Sequence, residues 1–217
     1  MPITTACSGW CPEAIAVNPT TNRIYVTNFY NASLSVIDGN TNAILATLPL
    51  PVGAGVVAVD GTRNRVYVTN DTQATPGSTL TVIDGGTDRI VGSITVGSGP
   101  QAVAVDPGTN RIYAANADSR SVLVVDGKTL AVVGTVSLAA APVDLAVDPD
   151  MQRIYVTEPT TASANTMEVI DGKTNTLRSP AAVGHALGVA VNPATHLVYV
   201  PDYLNGTLAV IDGAHFD

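Results

Sequence analysis

An all-β fold assembled from five copies of one four-stranded unit is predicted by three observations. A tyrosine phrase returns five times, an Asp-Gly phrase returns in step with it, and no helical periodicity lies between them. The tyrosines are Tyr25, Tyr67, Tyr113, Tyr155 and Tyr199, inside strings such as RIYVTN and RVYVTN, and the Asp-Gly pairs begin at Asp38, Asp84, Asp126, Asp171 and Asp212. The tyrosine period is 42 to 46 residues. Each period holds four short runs rich in Val, Ile, Thr and Tyr, residues that suit strands. Four strands in ~40–45 residues is the arithmetic of one propeller blade, so the expected architecture is a five-bladed β-propeller forming a single domain. Its blades cover approximately residues 10–50, 51–96, 97–138, 139–183 and 184–213.

Within a unit, the first run carries a central alanine at Ala16, Ala58, Ala104, Ala146 and Ala190, which suits an inner strand crowded by its neighbours. Pro follows Asn or Asp in VNPTTNR, VDPGTNR, VDPDMQR and VNPATHL, where its fixed φ fits the first corner of a type I turn into the second run. The tyrosine phrase is that second run. The third ends at the Asp-Gly pair, a tight turn in which glycine is expected to supply positive φ before the fourth run. The fifth unit stops after its third run, whereas PITTA, residues 2–6, precedes the first run of unit one. Residues 2–6 are therefore expected to complete the last blade and close the ring, removing open strand edges.

Eighteen acidic against ten basic residues give a formal net charge of −8, with lysine only at Lys128 and Lys173. No basic stripe is available to neutralise phosphates, so nucleic acid is not an expected partner. No run approaches the ~20 apolar residues that cross a bilayer, so no membrane insertion is expected. Cys7 and Cys11, in CSGWC, allow a small loop-closing disulfide, two free thiols, or half of a metal site. The start, MPITTACSGW, has no secretory leader pattern, as in a cytoplasmic protein or a mature exported domain with an added Met.

VGSGPQAVAVDPGTNRIYAANADSRSVLVVDGKTLAVVGTV, residues 96–136, resembles the YVTN-type β-propeller repeat. The likeness runs along essentially the whole chain, with the Tyr phrase, the Pro turn and the Asp-Gly turn in register. Bacterial and archaeal propellers of this kind include surface-layer and exported proteins. The resemblance thus implies an extracellular or periplasmic location, and it implies a fold rather than an activity.

The spacing also points to where function would sit. Asp-to-Tyr distances between phrases are 29, 29, 29 and 28 residues, whereas Tyr-to-Asp distances are 13, 17, 13, 16 and 13. Length varies between the second and third runs, in NDTQATPGST and EPTTASANT, and function tends to occupy variable loops on a rigid scaffold. On that same end, residues depart from their own repeat. Glu158 and Asp202 replace the asparagine of Asn28, Asn70 and Asn116; Asp144 stands where the other copies have Ala14, Val56, Ala102 and Gly188; and His185 lies in VGHALG. Trp10, Glu13, Tyr30, Arg120 and Tyr203 belong to loops of this end.

Two functions follow as expectations. The first is a binding or interaction propeller that recognises a small molecule, glycan or protein, with Trp10, Glu13, Tyr30, Arg120 and Tyr203 as ligand contacts. The second is a metal-assisted lyase or hydrolase at a channel mouth. There Asp144, Glu158 and Asp202 would ligate a divalent cation, Ca²⁺ or Mg²⁺, with His185, Asp144 and Glu158 in catalytic roles. Against both stands a structural reading: Asn, Asp and Glu at strand ends commonly accept backbone hydrogen bonds in turns. The GxSxG elbow, a phosphate-binding glycine loop, HExxH and paired CxxC motifs are all missing from the sequence.

Overall fold

A computed structural model of the chain describes residues 12–51, 53–71, 78–158 and 166–216. Trp10, Cys7, Cys11, the expected closing strand 2–6 and the loop stretches 72–77 and 159–165 lie outside the described residues.

The repeat folds into five antiparallel sheets. The first is β1 (Ile15–Asn18), β2 (Arg23–Asn28), β3 (Ser33–Asp38) and β4 (Ile44–Pro49), hydrogen-bonded in that order. The second follows the same meander through β5 (Ala54–Asp60), β6 (Arg65–Asn70), β7 (Thr79–Asp84) and β8 (Arg89–Thr95). The third consists of β9 (Pro100–Asp106), β10 (Arg111–Asn116), β11 (Ser121–Asp126) and β12 (Val132–Ser137). The fourth has β13 (Asp144–Asp148), β14 (Arg153–Glu158) and β15 (Thr166–Asp171). Its last strand is split into β16 (Thr176–Leu177) and β17 (Ala181–Ala182), both paired with β15. Between them Arg178 turns its guanidinium onto Asp171, and Pro180 offers no N–H to a ladder. The fifth, β18 (Ala190–Asn192), β19 (Leu197–Asp202) and β20 (Thr207–Asp212), has three strands among the described residues. Helical structure in the described residues is one 3₁₀ turn, Gly213–His215.

The chain divides into two units, residues 1–103 and 104–217. In the first, Tyr25, Leu34, Val36 and Leu50 of the first sheet pack on Val57, Val66, Val68 and Ile83 of the second. In the second, Tyr155, Met167 and Val169 pack on Val198, Val200 and Ala186, with Val183 and Phe216 completing the cluster. Within each unit period-2 alternation turns one face of a sheet toward its neighbour, and that face is apolar. The central alanines have a local cause: Ala16, Ala58, Ala146 and Ala190 stand directly opposite Tyr25, Tyr67, Tyr155 and Tyr199 in register.

The turns are built as expected in place but not in every detail. After the first strand, the Asn or Asp side chain caps its own turn: Asn18 Oδ1 accepts from the N–H of Thr20 at 3.0 Å, and Asp60, Asp106 and Asp148 do the same two residues on. After the third strand, Asp38, Asp84, Asp126 and Asp171 repeat the device. Backbone hydrogen bonds to the turn come first in holding Asp38, Asp84 and Asp126 below the usual range, whereas at Asp171 burial pushes up and the Arg178 side chain leads the groups that outweigh it. Glycine is not there to supply positive φ. That conformation falls on Asn22, Asn64, Asn110, Gln152 and His196 in the first turn and on Asn42, Asp88, Leu130 and Asn175 in the second.

What the Asp-Gly glycine supplies is space. A Cβ on Gly85 would stand 2.4 Å from Asn64 Oδ1 and 2.8 Å from the hydroxyl of Tyr25 on the preceding sheet. Gly172 meets the Tyr113 hydroxyl at 3.1 Å and Gly213 meets that of Tyr155 at 2.5 Å in the same way. The tyrosine phrase of one sheet and the Asp-Gly turn of the next are thus two halves of one contact. Polar ties reinforce it: Arg23 donates to the carbonyl of Gly85 and pairs with Asp88, both at 2.7 Å, and Arg153 donates to the carbonyl of Gly213. Asn18 bonds Asn64 at 2.9 Å, and in the fourth and fifth sheets Asp148 holds His196 Nδ1 at 2.8 Å.

Gly85→Ala should therefore destabilise the protein by ~1–3 kcal/mol, the usual cost of forcing atoms into a packed site. Urea denaturation followed by tyrosine fluorescence measures it; an unchanged midpoint would show that the contact yields without cost.

Candidate functional site

Two sets of residues in the second unit stand out at the end of the sheets where the second and third strands are joined. Both arise where a copy departs from its repeat. They lie on different elements and obey different chemistry.

The first set is Glu158 with Glu168. In the first two sheets the strand-end asparagine finds neutral partners: Asn28 donates its amide to the hydroxyls of Ser33 and Ser35 at 3.2 and 3.1 Å, and Thr81 donates to Asn70 Oδ1 at 2.5 Å. At the corresponding place Glu158 is 1% exposed, and its Oε2 accepts from the N–H of Ala140 at 3.2 Å, while Oε1 is buried without a hydrogen-bond partner. The register pairs Val156 with Glu168 and Glu158 with Thr166, so the two glutamates share one face of the sheet, one diagonal step apart. Glu168 is 9% exposed. Burial, then the charge of Glu168, push the Glu158 carboxyl up to about 7 against the pull of the Ala140 bond, and burial raises Glu168 as well.

The second set is His185, Leu187, Tyr203 and Leu204 on the fifth sheet. Asp202 builds its platform. Its Oδ1 accepts from the N–H groups of Leu204 and Asn205, both at 3.2 Å, and its Oδ2 from the Asn205 amide at 2.7 Å. The Asn205 side chain first, then backbone N–H groups including that of His185, hold this carboxyl below the usual range. Gly184, at φ +71°, is forced by the same carboxylate, because a Cβ there would collide with Asp202 Oδ2. Ala186 bridges Asp202, and Tyr203 donates its N–H to the His185 carbonyl at 3.2 Å. The rings of His185 and Tyr203 meet edge to face, centroids 6.0 Å apart.

Asp144 belongs to neither set. Its Oδ1 accepts from Leu145 N–H at 2.9 Å and its Oδ2 from Val189 N–H at 3.0 Å, which clasps the fourth sheet to the segment entering the fifth. Burial raises its carboxyl against these two bonds. Asp144 stands opposite Thr157 in register, so its side chain leaves the sheet on the face opposite Glu158. The three expected metal ligands are thereby separated: one on each face of the fourth sheet, and Asp202 spent on its own turn. Among the described residues no three of His, Cys, Asp and Glu come together to hold a metal ion.

The other expected contacts are scattered. Arg120 is exposed in the turn after β10, held by its N–H to the carbonyl of Ala117 at 3.1 Å. Glu13 and Tyr30 lie in the first unit. Tyr30 is exposed, edge-on to Phe29 at 5.3 Å. Glu13 edges a cavity of about 340 Å³ whose walls are apolar, among them Ile15, Ile24, Val26 and Ile37. Glu168, Leu187 and Leu204 escaped the sequence reading. For Glu168 a signal existed, since MEVID places an acid where the other copies have LSVID, LTVID, VLVVD and LAVID. Leu187 carries no such mark.

Similarity to known proteins defines the fold and stops there. No protein-family model and no curated protein matches the chain. Among solved structures, hydrazine synthase of Kuenenia stuttgartiensis is similar over 95% of this chain with a TM-score of 0.81 and 17% sequence identity. The chain spans 64% of that structure's chain. The five sheets are those of a β-propeller fold.

Asp144→Ala would leave two inward N–H groups without an acceptor and should cost ~1–3 kcal/mol. Asp144→Asn, which keeps one acceptor oxygen, should cost less. Chemical denaturation of the two variants checks the order; equal losses would mean that the clasp contributes through packing rather than hydrogen bonds.

Proposed function

We propose that the chain is a YVTN-type binding propeller, exported to the periplasm or cell exterior, that recognises a small molecule, glycan or protein at the loop end of its sheets. The observation that carries this reading is the second set. Leu187, Tyr203 and Leu204 are 54%, 55% and 58% exposed around His185, on a turn whose polar groups are already satisfied by Asp202. Apolar and aromatic surface held out on a rigid turn is what a partner can desolvate without a further ordering cost.

The alternative, a metal-assisted lyase or hydrolase, requires donors that converge. Asp144, Glu158 and Asp202 point elsewhere, so this reading takes second place. We read the five sheets as blades of one ring that residues 2–6 complete by pairing with β20. In support, Leu208 and Val210 of β20 are 58% and 53% exposed, whereas Leu34 and Val36, their counterparts in β3, are fully buried beside β4.

Three measurements separate these readings. Native mass spectrometry against an oligosaccharide and peptide panel should find a species retained by the wild type and weakened roughly tenfold, about 1.4 kcal/mol, by Tyr203→Ala. Equal retention by the variant would remove the patch from the site. Chelated protein titrated with Ca²⁺ or Mg²⁺ should show no saturable rise in Tm; a rise abolished by Asp144→Asn would favour the metal reading. Deleting residues 2–6 should lower Tm and expose β19 and β20 to proteolysis, and an unchanged Tm would leave β20 with another partner.

A further inference from the structure

We infer that Glu158 and Glu168 share a single proton and make the stability of the loop end of the fourth sheet depend on pH. The inference stands apart from the binding reading above and concerns a different set of residues. The sequence contains three glutamates, Glu13, Glu158 and Glu168, and two of the three are buried together on one sheet face.

Two of the other copies fill that diagonal with a neutral donor–acceptor pair, while the third sheet places Leu123 there and leaves Asn116 Oδ1 without a hydrogen-bond partner. Asn28 with Ser35, and Asn70 with Thr81, occupy the same register and join a donor to an acceptor at 3.1 and 2.5 Å. Two carboxylates offer four acceptor oxygens and no donor, and their charges repel where Glu158 is 1% and Glu168 9% exposed. One proton restores the missing donor. Glu158 Oε1, buried and without a partner, is the atom that lacks one.

Neighbouring groups leave the pair to itself. On β15 its face continues with Thr166 and Ile170, and the stretch 159–165, PTTASAN, contains no ionisable side chain. The segment 138–143 that brings Ala140 to Glu158 is LAAAPV. Arg120 and Asp118 are exposed in the turn whose Arg120 carbonyl accepts from Leu138 N–H. On the third sheet Arg111 pairs with Asp126, and the Tyr113 hydroxyl lies against Gly172, both at the opposite end of the strands. No cation among these is bonded to either glutamate.

The direction of the pH effect follows. A carboxyl raised in the folded state binds its proton more tightly than the unfolded chain does, so its contribution is fully present below the usual glutamate range near pH 4.5 and is lost as pH rises through about 7. Proton loss places a second charge on the same sheet face beside the linker at Ala140. The loop end of the fourth sheet is therefore more stable in mild acid than in mild base.

Carbon-13 titration of the glutamate carboxyls tests this directly, since only three signals arise. One signal should titrate near neutral pH in the wild type, disappear in Glu158→Gln, and move toward the ordinary range in Glu168→Gln, where a neutral donor replaces the acid. Urea stability should fall between pH 5 and pH 8 in the wild type and fall less in Glu168→Gln; comparing the two cancels Asp144, which burial shifts in the same direction. All three wild-type signals titrating below pH 5.5 would overturn the proposal, whether or not the variants fold.

Discussion

The seat of a tyrosine hydroxyl on a glycine of the following sheet is the constraint on which the rest of this structure depends. Tyr25 reaches Gly85, Tyr113 reaches Gly172 and Tyr155 reaches Gly213, each through a gap that a single methyl group would close. The distance along the chain from one Asp-Gly turn to the next tyrosine holds at 28 or 29 residues, and the insertions fall between a tyrosine and its own Asp-Gly turn. Burial raises the phenols, to about 12 at Tyr67 and Tyr113, so they stay neutral. A repeat protein is stabilised by the sum of its units and their nearest-neighbour interfaces, and here the tyrosine–glycine seat recurs at three of those interfaces.

The opposite ends of the strands are under no such rule. There the second strand terminates in a buried polar residue whose only obligation is to find a partner. Asn70 with Thr81 meets it, Asp202 meets it by closing its own turn, and Asn28, Asn116 and Glu158 meet it only in part, each keeping one buried oxygen without a hydrogen-bond partner. The same position thus yields a neutral hydrogen bond, a turn cap or an acid pair according to one substitution, while the scaffold beneath is unaffected.

This division explains how much was legible in the sequence. Strand order, the five units and the location of both turn families follow from spacing and alternation, because tyrosine, glycine and the Asx caps each answer to a local steric or hydrogen-bonding demand. The role of glycine was misread, since positive φ falls on Asn42, Asp88, Leu130 and Asn175 instead, a distinction that needs the turn's full geometry. Glu158 announced itself as an exception, yet its companion Glu168 lies ten residues away and is joined to it only by strand register. Asp144 looked like a neighbour of Glu158 for the complementary reason: both sit at the same end of one sheet, and only the pairing of Asp144 with Thr157 reveals that they face opposite ways.

The inter-sheet ties through Arg23, Asn18, Arg153 and Asp148 all lie at the turn end, together with the tyrosine–glycine seats. Copies of such a unit can diverge at the other end after duplication without disturbing their fit to one another. Selection then acts on each loop separately, and a chain of near-identical repeats can acquire five different surfaces while inheriting one joint.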